Sequence, residues 1–385
     1  MRPMKRTSSS LKISSLPPEL WREIFARLPA KTLLRFRCVC KSWCSVIDSP
    51  DFISLHLKLC PINSCNINLL ILERLMKSGS IALLYKIRRR DTLRKTTQFM
   101  INSKFDMVYG TDMVNGLMLM EDNGYFVRDL MLWNPSIKKS VLLPSCPLYI
   151  LPNQGGIYLG FAASCFDHKV VAFHSVDIVI GKLSIAVYSL NDNLWSVELG
   201  TITVPNWCIQ RIISGYGVVY CQGTVYWRPL NGTEQDDAVL LCFEFDAEKF
   251  SFVELPDNGD KMLRFLFVLG ESLAVFGISR DKSCIWVMET NVGKVGWHQC
   301  FHGDSTLDAY EFFEYFTHSS TKFLYVEKTG TFLLHRDNKL MSYNIMNHNI
   351  TTHQIEHLGK HVHCLYVDTC VDSLVLSGNA QRSQS

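Results

Sequence analysis

The sequence has little of what membrane proteins and nucleic-acid-binding proteins carry. Its longest apolar runs, such as residues 265–269, fall far short of the roughly 18 residues needed to cross a bilayer. A formal net charge of +3 is too small to indicate binding to nucleic acid or to an anionic membrane. We therefore expect no membrane and no nucleic-acid partner.

Motifs of catalysis and metal binding are also absent from the sequence. It contains no Gly-x-Ser-x-Gly elbow and no glycine-rich phosphate loop ending in Lys-Ser or Lys-Thr. Its 14 cysteines include no Cys-x-x-Cys pair, so a RING-like zinc site is not supported. We expect no catalytic residue, no metal and no cofactor.

The cysteines are dispersed, and several lie inside apolar runs, as Cys242 does between Leu241 and Phe243. A reduced cysteine behaves there as a small buried hydrophobe. Residues 1–13 are basic and serine-rich without an apolar core, which is typical of a disordered leader and not of a signal peptide. Together these features predict an intracellular protein, in the cytoplasm, the nucleus or both.

A short helical region follows the leader. Leu20, Ile24 and Leu28 recur every four residues behind Pro17-Pro18-Glu19, which predicts an amphipathic helix that ends at Pro29. Further short helices are predicted around residues 33–39, 41–47 and 50–58. Helices this short cannot bury their apolar faces singly, so we expect them to pack together, on the rest of the chain or on a partner.

These residues closely resemble the F-box motif, which covers residues 14–58 here. The matching segments are Leu16-Pro17-Pro18-Glu19-Leu20, Ile24-Phe25, Arg27-Leu28-Pro29 and the run from Leu33 through Lys41-Ser42-Trp43. Two departures are mild, Phe25 where leucine is common and Cys40 where serine is common, and neither adds a charge.

The resemblance implies docking on the Skp-type linker of a Skp–cullin–F-box (SCF) ubiquitin ligase. The positions carried over as linker-facing are Leu16, Pro17, Ile24, Leu28, Pro29, Val39, Lys41 and Trp43. For each of them a role in the core of the helical bundle is the alternative. Trp43 in particular could be the central ring of the bundle.

The segment 59–98 is interpreted as a connection between two domains. It contains the basic run Lys86-Ile87-Arg88-Arg89-Arg90, which is more typical of a solvated surface than of a binding patch.

From residue 99 to residue 370 the sequence consists of short apolar and aromatic runs separated by turn residues, which predicts an all-β domain. A strand–turn–strand unit recurs at residues 130–144, 186–195, 241–250, 285–293 and 340–350, with spacings of 45–57 residues. Two further hairpins are predicted at Asn115-Gly116 and Gln222-Gly223. Such a period favours a mainly antiparallel β-propeller-like domain over the alternative of an irregular sandwich.

This domain resembles the plant F-box-associated domain. The resemblance is carried by Asn115-Gly116-Leu117, Leu132-Trp133-Asn134-Pro135, Val187-Tyr188-Ser189-Leu190, Gly223-Thr224-Val225-Tyr226-Trp227, Phe243-Glu244-Phe245-Asp246 and Ile285-Trp286-Val287-Met288. In that family the domain follows the F-box and is taken to bind the protein that becomes ubiquitinated. Residues 371–385 are expected to form a flexible tail.

The function implied is that of a non-catalytic adaptor, the substrate-recognition subunit of an SCF ligase. A binding protein that works without a cullin is one alternative. A propeller enzyme is another, and it would need polar or metal-binding side chains converging on the centre of the propeller. The substrate-binding residues are not identified by the sequence, although the acidic segments 231–237 and 303–311 are candidate recognition loops.

One histidine cluster remains, made of His353, His357, His361 and His363 beside Cys364. On a helix the four-residue spacing of the first three would align them, but residues 362–367 are typical of a strand, which would separate the set. We therefore interpret this segment as a polar loop that enters a final strand.

Overall fold

The computed structural model of the chain describes residues 17–59, 68–77, 80–89, 95–102, 105–107, 112–122, 129–148, 158–163, 167–177, 182–203, 218–227, 239–256, 262–291, 294–318, 321–336, 339–353 and 362–378. Its α-helices are α1 (Pro18–Phe25), α2 (Ala30–Phe36), α3 (Lys41–Ile47), α4 (Pro50–Leu59) and α5 (Leu307–Glu314). Short 3₁₀ turns follow at Tyr315–His318 and Glu327–Thr329. No helix in this part of the chain is long and apolar enough to span a membrane.

The rest of the described structure is β-strand. The strands are β1 (Asn68–Lys77), β2 (Ser80–Arg89), β3 (Lys95–Asn102), β4 (Phe105–Met107), β5 (Met118–Asp122), β6 (Leu130–Asn134), β7 (Lys139–Leu142), β8 (Tyr158–Ala163), β9 (His168–Asp177), β10 (Lys182–Ser189), β11 (Leu194–Thr203), β12 (Val218–Cys221), β13 (Thr224–Trp227), β14 (Val239–Glu244), β15 (Lys249–Glu254), β16 (Leu263–Leu269), β17 (Ser272–Ile278), β18 (Lys282–Asn291), β19 (Lys294–Asp304), β20 (Leu324–Val326), β21 (Thr331–Arg336), β22 (Lys339–Asn344), β23 (Ile350–His353) and β24 (Val362–Cys370).

These strands form six antiparallel sheets of four strands each, which we call blades 1 to 6. Blade 1 has the order β24-β1-β2-β3, blade 2 is β4 to β7, blade 3 is β8 to β11, and blades 4 to 6 continue in the same way to β23. The first strands of neighbouring blades touch, since β12 contacts both β8 and β16, and β16 contacts β20. The domain is therefore a propeller, as predicted, and not a sandwich of two packed sheets; the structure adds that the first strands of blades 3 to 6 lie innermost.

The five predicted strand–turn–strand units are confirmed as the two outer strands of blades 2 to 6. In four of these hairpins the turn ends on a left-handed residue that is not glycine. These residues are Lys138 (φ 57°), Asn193 (55°), Glu248 (50°) and His348 (58°). Such a residue closes a tight turn of the kind that leads back into a twisted hairpin. The turn at Gln222-Gly223 also forms, between β12 and β13.

Blade 1 is built from both ends of the domain. β24, near the end of the chain, is its innermost strand and pairs with β1 over Asn68–Glu73 and again at Leu75. β1, β2 and half of β3 lie in the segment 59–98, which was predicted to be a connection between two domains. That prediction is wrong, because the strand that completes this blade is supplied from almost 300 residues away and no local pattern reveals the pairing.

The alternation of strand direction gives the propeller two distinct faces. The turns at 135–138, 190–193, 222–223 and 245–248 lie on one face, which we call the proximal face. The connections at 279–281 and 305–318, including α5, lie on the opposite, distal face. Between the two faces, the blades pack against each other through shared aromatic clusters such as that of Phe276, Phe313, Phe332 and Tyr343.

Candidate docking surface and the centre of the ring

Helices α1 to α4 form the small helical module. α1 begins after Pro17 with Glu19 in its first turn, where an acid faces the positive end of the helix. One side of α1 supplies Phe25 to the core, while Leu20 and Ile24 are each 51% exposed. Because these two residues are four apart, they share one face of the helix. This face is an apolar surface that the described part of the chain leaves open.

Four aromatic rings fill the centre of the module. The ring of Trp43 lies 4.7 Å from that of Phe25, 5.4 Å from that of Phe36 and 6.2 Å from that of Trp21, measured between centroids. Trp43 remains half-buried, so it holds the helices together and still contributes to the surface. The carbonyl of Leu28, also half-buried, contacts Nε2 of the buried His56 at 2.9 Å.

The structure divides the predicted linker-facing residues into two groups. Pro17, Ile24, Pro29, Val39 and Lys41 are exposed, and Val39 is 61% exposed in the turn between α2 and α3. Leu28 and Trp43 are half-buried, and Leu16 lies outside the described residues. Leu20 was not predicted, although its four-residue spacing from Ile24 was a signal that could have identified it.

The module sits on the proximal face of the propeller. Its buried residues Phe25, Ala30 and Leu33 belong to the same apolar cluster as Leu117 and Ile137, which lie at turns of blade 2. Burial and the nearby guanidinium of Arg37, in the module, together lower the pKa of Lys139 at the start of β7.

Residues 371–378, which we call the C-terminal strap, lie between the module and blade 2. Leu374, Val375 and Leu376 are buried in the shared cluster. The Nδ2 of Asn134 donates to the carbonyls of Ser373 and Val375, at 3.1 and 2.8 Å. The prediction of a flexible tail is therefore wrong for these residues, because they bury apolar side chains against elements far away in sequence; residues 379–385 lie outside the described part.

Polar contacts join the strap to the module as well. A carboxylate oxygen of Asp372 accepts a hydrogen bond from the amide of Ala30 at the start of α2, at 2.8 Å. The hydroxyl of Ser377 lies 3.2 Å from the carboxylate of Asp48, which also pairs with Arg37 at 2.5 Å. The strap thus forms hydrogen bonds with the propeller on one side and with the helices on the other.

At the centre of the ring, one lysine lies between two aspartates. The Nζ of Lys322 is 2.7 Å from Oδ1 of Asp112 and 2.6 Å from Oδ1 of Asp368. Asp368 lies on β24, Asp112 precedes β5 and Lys322 precedes β20, so blades 1, 2 and 6 meet here. The amide of Tyr220 on β12, in blade 4, adds a 2.7 Å hydrogen bond to Asp112. None of these charged residues was singled out from the sequence, where they stand far apart.

All four carboxylate oxygens of this cluster accept hydrogen bonds. Besides those already named, Oδ2 of Asp368 accepts from the amide of Met113 at 2.8 Å and from the hydroxyl of Tyr366 at 2.7 Å. Burial raises the pKa of Asp112, against the influence of Lys322. Burial acts to lower the pKa of Lys322, but the two carboxylates outweigh it and the pKa is raised.

The polar side chains that converge at the centre therefore bind one another. The ammonium of Lys322 lies between the two carboxylates, where a metal ion would have to lie. Within the described residues, no three His, Cys, Asp or Glu side chains are grouped so as to hold a metal. The cluster acts as a cross-link between blades.

The structure describes only part of the histidine segment and one of the two acidic segments. His353 lies on β23, with Nε2 2.8 Å from the hydroxyl of Ser342, while residues 357 and 361 and the side chain of residue 363 lie outside the described part. Segment 231–237 lies outside it too. Segment 303–311 is described and includes most of α5.

Comparisons with known proteins agree with this architecture. The model of the F-box domain matches residues 13–55, and that of the F-box associated beta propeller domain matches residues 58–376. An Arabidopsis thaliana protein named as an F-box protein is 25% identical over 374 residues, which cover 89% of this chain and 85% of that protein. An F-box/kelch-repeat protein of the same plant is 27% identical over 255 residues, 63% of this chain and 65% of its own length.

A third relative from Arabidopsis thaliana, an F-box protein, is 23% identical over 300 residues and is covered over 64% of its length. This chain thus spans just under two thirds of the second and third relatives. A chain of a nidogen/laminin complex aligns with 80% of this chain at 12% identity and a TM-score of 0.40, which is too low to support an inference. With a propeller-family match over most of its length and an F-box ahead of it, the chain belongs to the family of F-box proteins with an F-box associated beta propeller domain.

Proposed function

We propose that this protein is the substrate-recognition subunit of an SCF-type ubiquitin ligase. Its F-box would bind a Skp-type linker and, through it, a cullin, while the propeller binds a target protein. The observation that carries the proposal is the open apolar surface of the F-box, where Leu20, Ile24 and Val39 are half-exposed or more. Apolar side chains that one chain leaves in water are typical of a surface that a partner covers.

The residues of this surface have two roles in the proposal. Direct contacts with the linker are assigned to Leu16, Pro17, Leu20, Ile24, Pro29, Val39 and Lys41. Leu28 and Trp43 are assigned to support, since their side chains are half-buried and Trp43 packs on three other rings.

The chain needs no catalytic group for this role. Holding a target beside a ubiquitin-loaded enzyme raises the effective concentration of the reacting groups, which accelerates transfer without chemistry in the adaptor. The proposal thus includes neither cofactor nor metal, and it places the protein inside the cell, in the cytoplasm, the nucleus or both.

The attachment of the F-box to the propeller suits this role. A shared apolar cluster and the strap join the two, so a target held on the propeller would keep a fixed position relative to the linker. A flexible connection would spread the target over a larger volume and lower that effective concentration.

The test is a pulldown of a Skp-type linker and cullin with the full chain. Ile24→Asp/Val39→Asp should lower linker binding at least about tenfold, because it places two charges in an apolar contact. The matched control is Leu194→Asp/Met346→Asp, which adds the same charges at propeller side chains that are 67% and 71% exposed. A third variant, Leu16→Ala/Pro17→Ala, tests the start of the motif.

Circular dichroism should show that all variants fold, since the substituted side chains of the first two are exposed. Binding that is lost in Ile24→Asp/Val39→Asp and kept in the control would support the adaptor role. A well-folded wild type that binds no linker would refute it and leave the F-box with a cullin-independent role.

A further inference from the structure

Helix α5 is the α-helix that the described part of the propeller carries, and it lies on the distal face. Its inner side is firmly anchored, since Phe312 and Phe313 are buried between blades 5 and 6. The ring of Phe313 lies 5.0 Å from those of both Phe276 and Tyr343. The helix is therefore a fixed platform.

The outer side of α5 exposes three acids and two large side chains. Asp308, Glu311 and Glu314 are spaced by three residues, so they lie close together on the helix surface. Leu307 is 52% exposed before them and Tyr315 is 47% exposed after them. We call these five residues the α5 surface.

The α5 surface carries three negative charges and, among its five residues, no positive one. None of its three carboxylates forms an ion pair with a described residue. Glu311 and Glu314 also lie in the last turn of the helix, which holds no basic residue and where the helix dipole disfavours negative charge. This arrangement opposes the stability of the helix, as residues kept for binding often do.

Aromatic rings with cations stacked on them border the acids. The guanidinium of Arg336 lies 3.9 Å from the ring centroid of Tyr315, and that of Arg280 lies 5.7 Å from the ring of Tyr310. Stacking of this kind holds Tyr315 in place at the surface. Tyrosine is one of the side chains in which binding hot spots are enriched.

We propose that the α5 surface binds a basic segment of the target protein, with lysine or arginine side chains on the carboxylates and apolar side chains against Leu307 at one end of the helix or Tyr315 at the other. This inference rests on the proposed function and specifies its target. The distal location fits, because the F-box occupies the proximal face and a bound linker would leave α5 accessible. The negative charge excludes nucleic acid as the occupant.

The test starts with selection of peptides from a random library by the full-length protein. Selected peptides should be enriched in lysine and arginine relative to the starting library and should contain an apolar residue. Their affinity, measured by fluorescence anisotropy, should fall at least about fivefold in Glu311→Gln/Glu314→Gln, which removes two attractive charges from an exposed site. The matched control is Glu244→Gln/Glu289→Gln, which removes two exposed acids from strand ends towards the proximal face.

Several results would overturn the inference: no enrichment of basic sequences, unchanged affinity in the α5 variant, or an equal loss in the control. Self-association of the wild type that the α5 variant abolishes would also overturn it, by making a second copy the occupant.

A linker pulldown with the same proteins separates this inference from the proposed function. If the wild type binds no linker but the α5 variant still loses peptide affinity, the adaptor role fails and the α5 surface stands. If the wild type binds the linker, and the wild type and the α5 variant bind the peptides with equal affinity, only the inference about the α5 surface fails.

Discussion

The helical module and the propeller bury apolar surface to different degrees. In the propeller, aromatic clusters fill the spaces between blades, and rings such as Phe276, Phe332 and Tyr343 are fully buried. In the module, Leu20, Ile24 and Val39 stay half-exposed, and part of the core is borrowed from the strap and from blade 2. The aromatic clusters of the propeller are thus buried between its own blades, whereas the module leaves an apolar surface that we propose a partner covers.

The two regions also use charge differently. In the module, Glu23 and Arg27 form an ion pair with both side chains about 60% exposed, and such pairs contribute little to stability. In the propeller, Lys322, Asp112 and Asp368 form a cluster in which one aspartate is fully buried. A buried cluster of this kind is strongly destabilised when one of its members is lost. The propeller is therefore stabilised by buried charges at its axis, whereas the module is stabilised by its contact with the strap.

The largest expected effect is at the axis. Lys322→Met leaves Asp112 and Asp368 facing each other without a cation, so the free energy of unfolding should fall by about 3–5 kcal/mol. Denaturant unfolding followed by circular dichroism measures this change. Lys322→Met/Asp112→Asn/Asp368→Asn should recover part of the loss, because it removes the buried negative charge as well. A loss below about 1 kcal/mol in the single variant would show that the cluster does not stabilise the ring.

The next effect concerns the contact between the regions. Leu374→Ala removes a fully buried side chain from the cluster that the strap, the module and blade 2 share, and should cost about 2–4 kcal/mol. Hydrogen exchange measured by mass spectrometry should show loss of protection in α2 and in β6 together. Protection lost in the propeller alone would mean that the strap belongs to blade 2 and does not hold the module.

The smallest effect comes from acid and is confined to the propeller. Burial lowers the pKa of His168 and that of His335 to about 4, whereas an unfolded chain takes up these protons near pH 6.5. Stability should therefore be full above pH 6.5 and fall as the pH drops towards 4. Between pH 6.5 and pH 5.5 each histidine should cost about 1 kcal/mol.

Denaturation midpoints at these two pH values measure the effect. The stability of His335→Leu should depend less on pH than that of the wild type. The substitution breaks no hydrogen bond at Nδ1 of His335, because this atom has no partner among the described residues. An unchanged pH dependence would show that His335 titrates normally in the folded protein.

The sequence allowed much of the propeller to be predicted because its outer hairpins are local. The recurring unit around Trp133-Asn134-Pro135 carries its own turn chemistry, since Oδ1 of Asn134 accepts a hydrogen bond from the amide of Ser136. The same arrangement recurs at Asn344 and Met346. The hairpin of β2 and β3 was missed because its first strand includes residues 86–89 of the basic run, which was interpreted as a solvated surface.

What could not be predicted depends on contacts between distant residues. The pairing of β24 with β1, the packing of the strap and the cluster around Lys322 each join parts of the chain far apart in sequence. An aspartate inside an apolar strand, such as Asp368 after Val367, was the one local sign of a buried charge. Among the linker-facing residues, the sequence could not separate exposed Ile24 and Val39 from half-buried Leu28 and Trp43, because both groups are apolar at the same helical period.

The strap has a consequence for how the protein is made. Of the described elements, β24 and the strap leave the ribosome last, so the nascent chain can neither close blade 1 nor seat the helices of the module until these residues have emerged. A product that stops just short of residue 362 lacks both the strand that closes blade 1 and the strap. Such an incomplete product would carry the helices unseated beside an open ring, so a defect in the propeller would also leave the proposed docking surface of the F-box without its support.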